Sequence, residues 1–158
     1  MAWYRYVGWA GTNRLTRWLH VPLYRFFAGS GILGRSLGNL TIVLTTVGAR
    51  SGRHRSVPLW AFQDGQAWVV VASNGGSARL PAWCLNLRAN PRASVQNHAR
   101  VTPVRAREAE GAEYERLWIM VTTAYRGYAA YRRWAGRPIP LVVLEPEPVA
   151  ATEPGEPA

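Results

Sequence analysis

The sequence predicts an α+β protein, a small antiparallel β-barrel with flanking helices. Short segments rich in β-branched and aromatic residues follow one another between residues 40 and 105, and tight turns separate them. Helical patterns occur only at the start, in the middle and near the end of the chain. With 158 residues and a hydrophobic share of 48%, the chain is long enough to bury one core.

The first 35 residues are predicted to form an amphipathic helical region. A helix from Thr12 or Asn13 to about Ala28 places Leu, Trp and Phe at near-helical spacing with Arg between them, and Pro22 kinks it. Two interpretations stay open: a helix packed on the domain, or a helix on a membrane surface, where Trp and Phe beside Arg suit the headgroup boundary. Residues 29–39 contain four glycines and are predicted to be a loop.

Residues 36–146 are predicted to form the barrel domain, and residues 147–158, rich in Pro, Glu and Ala, a disordered tail. The predicted strands are Leu40–Thr46, Arg55–Phe62, Ala67–Ser73, Ala93–Gln96, Arg100–Arg105 and Ile139–Leu144. Short helices are expected at Pro81–Ala89 and at Glu108–Thr123, where early acids suit the helix dipole. Tyr125–Trp134 continues as helix or irregular loop.

The net charge of +10 favours anionic partners, and all nineteen basic residues are arginine. They are spread over the whole chain without a dense run, so no nucleic acid partner is expected. The single cysteine allows no internal disulfide, which fits a reducing compartment, and no stretch is apolar enough to span a bilayer. We therefore expect a cytoplasmic protein, with peripheral contact at the inner face of the membrane as an alternative.

Two glycine-containing segments are candidates for ligand binding. The turn Gly48–Arg55 places three arginines and several free backbone N–H groups in a small space, an arrangement that suits phosphates and carboxylates. The loop Ala72–Gly76 follows a buried strand, and paired glycines allow backbone to approach a ligand closely. The alternatives are an exposed basic hairpin turn and a plain loop.

Tyr125, Tyr128 and Tyr131 are spaced three apart and would share a broad helix face. A phenol is protonated at neutral pH, so this face is either a substrate wall with a proton donor or ordinary aromatic packing. The three histidines lack metal-type spacing, so no metal site is expected. Cys84 lies in a predicted helix and is interpreted as a buried small residue.

Four runs together resemble the deazaflavin (F420)-dependent nitroreductase and quinone reductase family: LTTVGARSGRHRSVPL, DGQAWVVVASNGG, PAWCLNLRANP and YRGYAAYRRWAGRPIPLVVLEP. The resemblance covers about residues 36 to 146. It implies a split β-barrel like those of FMN-binding proteins, with reduced F420 as the cofactor and hydride transfer to a quinone or nitro-type acceptor. Two alternatives are an FMN-dependent oxidoreductase on the same barrel and a non-catalytic F420-binding or membrane-associated protein.

The resemblance also implies roles for individual residues. Cofactor contacts are implied for Arg50, Ser51, Gly52, Arg55, Pro58, Ala72, Ser73, Asn74, Gly75, Gly76, Trp83, Asn86 and Leu87. A substrate wall is implied for Trp60, Tyr125, Tyr128 and Tyr131, with catalytic roles for the three tyrosines and Ser73. The chain departs from the family at Asn74, where lysine is common, and at Cys84 and Trp60, where tyrosine occurs. The oligomeric state stays open.

Overall fold

The structure is a computed structural model that describes residues 35–36 and 39–148. Its strands are β1 (Arg35–Ser36), β2 (Asn39–Val47), β3 (His54–Asp64), β4 (Ala67–Val71), β5 (Arg92–Asn97), β6 (Arg100–Glu108) and β7 (Leu141–Pro146). Its α-helices are α1 (Ala82–Ala89), α2 (Gly111–Ala124) and α3 (Gly127–Ala135). A single 3₁₀ turn, Asn74–Gly76, follows β4.

The strands form one antiparallel sheet that closes on itself. Their order is β1-β2-β3-β4-β7-β6-β5, and a further pairing between β2 and β5 completes a six-stranded barrel. Closure leaves the barrel strands without a free edge along this pairing. The predicted class, an antiparallel barrel with flanking helices, is confirmed.

Alternate residues of the strands face two separate apolar cores. The barrel interior contains Ile42, Leu44, Trp68, Val70, Val142 and Leu144, and α1 adds Trp83, Cys84 and Leu87 to it. The outer faces of β4 and β7 pack under α2 and α3, through Val69, Val71, Leu117, Val121, Leu141 and Val143. The two-residue period of a strand produces this division, and it explains why β4 is apolar at every position from Trp68 to Val71.

Several predicted boundaries are wrong in instructive ways. Arg35–Ser36 is a short strand paired with Asn39 and Leu40, inside the segment predicted to be a loop. Glu108 is the last residue of β6 and not the first of a helix, and its carboxylate pairs with Arg88 (Nε to Oε1 2.6 Å). The third strand ends at Val71, two residues earlier than predicted. The last strand begins at Leu141, after the prolines on either side of Ile139.

The predicted N-terminal helix and the tail from residue 149 onward lie outside the described residues. The division into three regions therefore stays a prediction. Among the residues that the structure describes, no helix is both long and apolar enough to cross a membrane.

Candidate active site

The connection between β2 and β3 is a turn held by its own hydrogen bonds. The Gly48 N–H donates to the Arg53 carbonyl (2.9 Å), and the Gly48 carbonyl accepts from the N–H groups of Ser51 (3.1 Å) and Gly52 (2.8 Å). The Arg53 N–H in turn donates to Ser51 Oγ (3.4 Å). The expectation of several free N–H groups is wrong, because within residues 48–53 the Arg50 N–H alone has no partner.

The arginines of this turn carry uncompensated charge. Arg50, Arg53 and Arg55 are exposed, and no carboxylate in residues 40–148 pairs with any of them. The ion pairs of that part of the chain use other arginines, on α1, α2, β5 and β6. Three unpaired guanidiniums on one turn favour a phosphate or carboxylate ligand. An anion at this turn would therefore interact mainly with the arginine side chains and less with backbone N–H groups.

Asn86 fastens α1 to this turn. Its side-chain carbonyl accepts from the Ala49 N–H (3.0 Å), and its Nδ2 donates to Thr46 Oγ1 on β2 (3.0 Å). The side chain is only 9% exposed. Asn86 thus sets the position of the turn relative to α1. The family resemblance implied only a cofactor contact for this residue.

Two other α1 residues implied to contact the cofactor point into the barrel. Trp83 and Leu87 are buried and belong to the interior core. Their implied contact with the cofactor stays a prediction, and it concerns at most the edge of each side chain.

The loop Ala72–Gly76 packs against α3. The backbone is left-handed at Asn74 (φ 49°), Gly75 (φ 65°) and Gly76 (φ 83°). A Cβ atom on Gly76 would lie 3.2 Å from Trp134 Cβ and 3.3 Å from Tyr131 Cα, so glycine is needed there for close packing on the helix. The close approach that paired glycines predicted is, at Gly76, an approach to α3.

Ser73 lies at the start of this loop and is buried. Its carbonyl accepts from the Gly76 N–H (3.0 Å), whereas its hydroxyl has no hydrogen-bond partner among the residues described. The hydroxyl is therefore free to contact a ligand beside the loop.

An aromatic cluster extends from β3 to α3. The ring of Trp60 meets Tyr125 edge to face (centroids 5.4 Å apart), and Tyr125 meets Tyr128 in the same way (5.2 Å). Tyr128 and Tyr131 are 6.0 Å apart, and the hydroxyls of Tyr125 and Tyr131 lie 3.4 Å from each other. The predicted tyrosines are thus neighbours, although Tyr125 lies at the break between α2 and α3 and not inside a helix.

The position of the Tyr125 ring depends on Gly127, which sequence reasoning missed. The ring of Tyr125 lies so close over Gly127 that any Cβ atom there would overlap it. The glycine two residues after the first tyrosine was the only available signal.

Burial keeps the phenols protonated. Burial raises the pKa of Tyr128 well above its usual range, and the neighbouring tyrosines raise it further. The pKa of Tyr131 is raised by burial and by its hydrogen bond with Tyr125. At neutral pH each phenol therefore holds a proton that can be donated in a hydrogen bond.

Strand β3 leads from the arginine-containing turn Gly48–Arg55, called here the basic turn, to the aromatic cluster. Pro58 and Trp60 point to the same side of the strand, opposite Val43 and Thr41 of β2. Arg55 and Trp60 are five residues apart, so their Cα atoms are separated by roughly 17 Å along the strand. Arginines therefore lie at the start of β3 and aromatic rings farther along it, with Arg55 and Trp60 on opposite faces of the strand because they are an odd number of positions apart.

Besides the residues of the candidate site, the structure contains a buried cysteine and a cavity. Cys84 is buried as predicted, and burial raises the pKa of its thiol to about 11. No three His, Cys, Asp or Glu side chains in the described part of the chain are arranged to hold a metal. A cavity of about 450 Å³ lies between α1, α2 and the segment before β7, and none of the predicted site residues lines it.

Comparisons with known proteins agree with the resemblance. The sequence model of the family described as F420H(2)-dependent quinone reductase matches residues 17–146. An F420H(2)-dependent quinone reductase of Mycobacterium tuberculosis is 35% identical over 132 residues, which are 80% of this chain and 87% of the relative.

Two solved structures share the fold. That of an F420-H2 dependent reductase, FDR-A, is 40% identical with a TM-score of 0.61 and covers 66% of this chain and 93% of that one. Another, described as a domain-swapped dimer, is 36% identical with a TM-score of 0.65 and covers 81% of this chain and 97% of that one.

These matches confirm the predictions of an oxidoreductase and of F420 as its cofactor, and they favour F420 over FMN. They support a quinone-type acceptor more closely than a nitro-type one, since quinone reduction is the reaction that the family description names. The chain belongs to the F420H(2)-dependent quinone reductase family.

Proposed function

We propose that this enzyme reduces a quinone with F420H2 along the surface that joins the basic turn, the loop Ala72–Gly76 and the aromatic cluster. The observation that carries the proposal is the arrangement along β3. Unpaired guanidiniums lie at the start of the strand. Trp60, roughly 17 Å from Arg55 along the strand, belongs to the aromatic cluster that contains the protonated phenols of Tyr128 and Tyr131. An elongated cofactor with an anionic end fits this distribution of charge.

The anionic part of F420 is proposed to bind at the turn. Arg50 and Arg55 supply the charge, and Ser51 and Gly52 give the turn its shape. Because no described carboxylate neutralises these arginines, an anion entering here displaces only water from them. Pro58 and the exposed Gly75 offer apolar or backbone contacts farther along the surface.

The deazaflavin ring is proposed to lie beside the loop, with Ser73 and Asn74 next to it. When bound, F420H2 supplies a hydride. The chain's part is to place the acceptor against the ring and to keep water out, for which the rings of Trp60, Tyr125 and Tyr128 form a wall.

Reduction of a quinone to a hydroquinone needs a proton for each hydride that is delivered. We propose that Tyr128 or Tyr131 donates this proton from its hydroxyl to the quinone oxygen. Both phenols are protonated at neutral pH, and burial raises their pKa values further, so each can donate a hydrogen bond to that oxygen as negative charge develops on it. The Tyr125 hydroxyl, 3.4 Å from that of Tyr131, is placed to return a proton from solvent, because Tyr125 is the least buried of the three.

The test is the double variant Tyr128→Phe/Tyr131→Phe. We expect turnover with F420H2 and a quinone to fall at least about a hundredfold, which is typical for loss of a general acid, while the F420 affinity stays within about twofold. Tyr114→Phe is the matched control, because the Tyr114 hydroxyl donates to the Ile139 carbonyl (3.1 Å) and bonds none of the proposed site residues. Loss of F420 binding in the double variant would contradict the assignment of the tyrosines to the acceptor.

The alternatives predict different binding. Parallel fluorescence titrations with oxidised F420 and with FMN separate an F420 enzyme from a flavin enzyme on the same barrel. An F420-binding protein without catalysis would bind F420 tightly and give no turnover with any quinone or nitroaromatic acceptor.

Membrane contact is a separate proposal and rests on sequence alone. The segment 1–28 combines Trp and Phe with Arg, as expected for a helix at an anionic membrane surface on the cytoplasmic side. Flotation of liposomes with the whole chain and with a chain lacking these residues tests it. Equal flotation of the two would contradict it.

A further inference from the structure

Arg137 makes an unusual set of contacts just after α3. Its guanidinium donates to four backbone carbonyls: Nε to Ala78 (3.1 Å), Nη1 to Pro138 (3.0 Å), and Nη2 to Ala72 (3.2 Å) and Arg79 (3.1 Å). It pairs with no carboxylate in the part of the chain that the structure describes. Its charge is therefore balanced by carbonyl dipoles alone.

Three of these carbonyls lie at the two ends of one segment. Ala72 is where the glycine loop leaves β4, and residues 78 and 79 are where the chain leaves the loop towards α1. The Arg137 side chain thus holds the two ends of segment 72–79 together by hydrogen bonds. Bonding several carbonyls at once requires the planar guanidinium group with its N–H donors in fixed directions, whereas a lysine ammonium would act only as a point charge.

Other hydrogen bonds restrain mainly the interior and the start of this segment. Asn74 Nδ2 donates to the Arg79 carbonyl (3.0 Å), and the Ser77 N–H donates to the Asn74 carbonyl (3.2 Å), both within the segment. The Ala72 N–H donates to the Pro140 carbonyl (2.9 Å) and fixes the start beside β7, so Arg137 is the residue that ties residues 78 and 79 to that fixed start. Gly76 rests on α3, and Arg137 follows the left-handed Gly136 (φ 60°) that ends this helix.

We infer that Arg137 is a positioning residue that holds the Ser73-bearing loop in a fixed place relative to the tyrosines of α3. It acts from behind the loop and contacts neither cofactor nor acceptor. This inference rests on the proposed function, in which the loop lies beside the deazaflavin ring.

The expected consequence is a loss of pre-organisation. With Arg137→Lys the loop has to be ordered when F420 binds, so the Kd of F420 and the KM of F420H2 should rise about tenfold or more. The barrel and its cores are untouched, so the melting temperature should fall by only a few degrees, about the effect expected from losing one or two hydrogen bonds.

The experiment compares Arg137→Lys with Arg107→Lys. Arg107 also uses its fork, on Glu113 (2.6 Å and 2.9 Å) and Glu145 (2.8 Å), but it lies on β6 away from the loop. Amide hydrogen exchange without cofactor is measured over residues 72–79, together with the F420 affinity. Faster exchange confined to this segment, with the weakened affinity, is the predicted result for Arg137→Lys and not for Arg107→Lys.

A second variant guards against ambiguity. Arg137→Ala removes the whole side chain, and added ethylguanidinium should restore loop protection and F420 affinity in it, whereas Arg107→Ala should keep both properties with or without ethylguanidinium. If Arg137→Lys shows wild-type exchange and wild-type F420 affinity, the inference is overturned and the proposed function stands. If the wild-type chain itself fails to bind F420, the proposed function falls, while the exchange data still decide whether Arg137 orders the loop.

Discussion

Replacing Asn86 with alanine should both destabilise the protein and weaken cofactor binding. The change removes the acceptor of the Ala49 N–H and the donor to Thr46 Oγ1, each at 3.0 Å, from a side chain that is 9% exposed. These are the only side-chain hydrogen bonds that tie α1 to the basic turn and to β2 in the described structure. The variant therefore tests whether α1 sets the position of the turn.

The magnitude follows from the two bonds and their surroundings. Each bond contributes about 1 kcal/mol net, and leaving the buried Thr46 hydroxyl without this partner adds about 1 kcal/mol. Ala49 is exposed, so its N–H finds water and adds little beyond the bond itself. We expect the free energy of unfolding to fall by about 3 kcal/mol, within a range of about 2–4.

Urea unfolding measures this change, with an unchanged m-value as evidence that the unfolding transition itself is the same. The matched control is Asn90→Ala, the same substitution at the end of α1, where the side chain makes one exposed bond to the Arg92 N–H (3.1 Å). We expect it to lose less than about 1 kcal/mol. In parallel, F420 affinity should fall in the Asn86 variant, because the Arg50 turn is no longer held, and stay unchanged in the control.

The reasoning would be refuted if Asn86→Ala lost no more stability than Asn90→Ala and bound F420 like the wild type. A double variant with Thr46→Val adds an internal check. The two substitutions should show a coupling energy of about 1 kcal/mol, since the side chains share a bond.

Three further results are expected. Gly127→Ala should displace the Tyr125 ring and lower kcat/KM for the quinone while F420 affinity is kept, and unchanged quinone kinetics would show that Tyr125 does not line the acceptor site. Because burial raises the pKa of Cys84 to about 11, its thiol should react with a disulfide reagent at neutral pH far more slowly in the native than in the urea-unfolded chain, and equal rates would count against this. Arg116 lowers the pKa of Asp64, and Arg107 lowers the pKa of Glu113, so both carboxylates stabilise the fold at pH values above their unfolded pKa values. Thermal stability should therefore decline as the pH falls below about 4. A decline already between pH 7 and 5 would indicate that other groups are responsible.

The barrel was predictable because local patterns determine it. Strands β2 to β4 stand out by their β-branched content and by the glycines of the turns between them. The start of α2 was misplaced because three glutamates precede or open the helix, and the first of them, Glu108, serves an ion pair on β6. The sequence alone does not tell whether a glutamate near a helix start interacts with the positive end of the helix dipole or forms an ion pair with a distant arginine.

The sequence could predict which tyrosines lie together, but less of how the fold brings the candidate residues into contact. The three tyrosines could be grouped by their spacing, whereas the packing of the Tyr125 ring over Gly127 and against Trp60 is visible only in the fold. Arg137 left no signal, because three of its four partners are backbone carbonyls about sixty residues earlier, and carbonyls are present at every position. Long-range contacts of this kind become visible only once the chain is folded.

Every role proposed for these residues depends on hydride transfer from F420H2 to a quinone. The most direct measurement is the rate of F420H2 oxidation under anaerobic conditions with a soluble quinone such as menadione, with and without the protein. We expect a rate that depends on the protein and saturates with both F420H2 and quinone, and no acceleration by the protein when reduced FMN replaces F420H2. F420H2 oxidation that does not depend on the protein, although the protein binds F420, would contradict it.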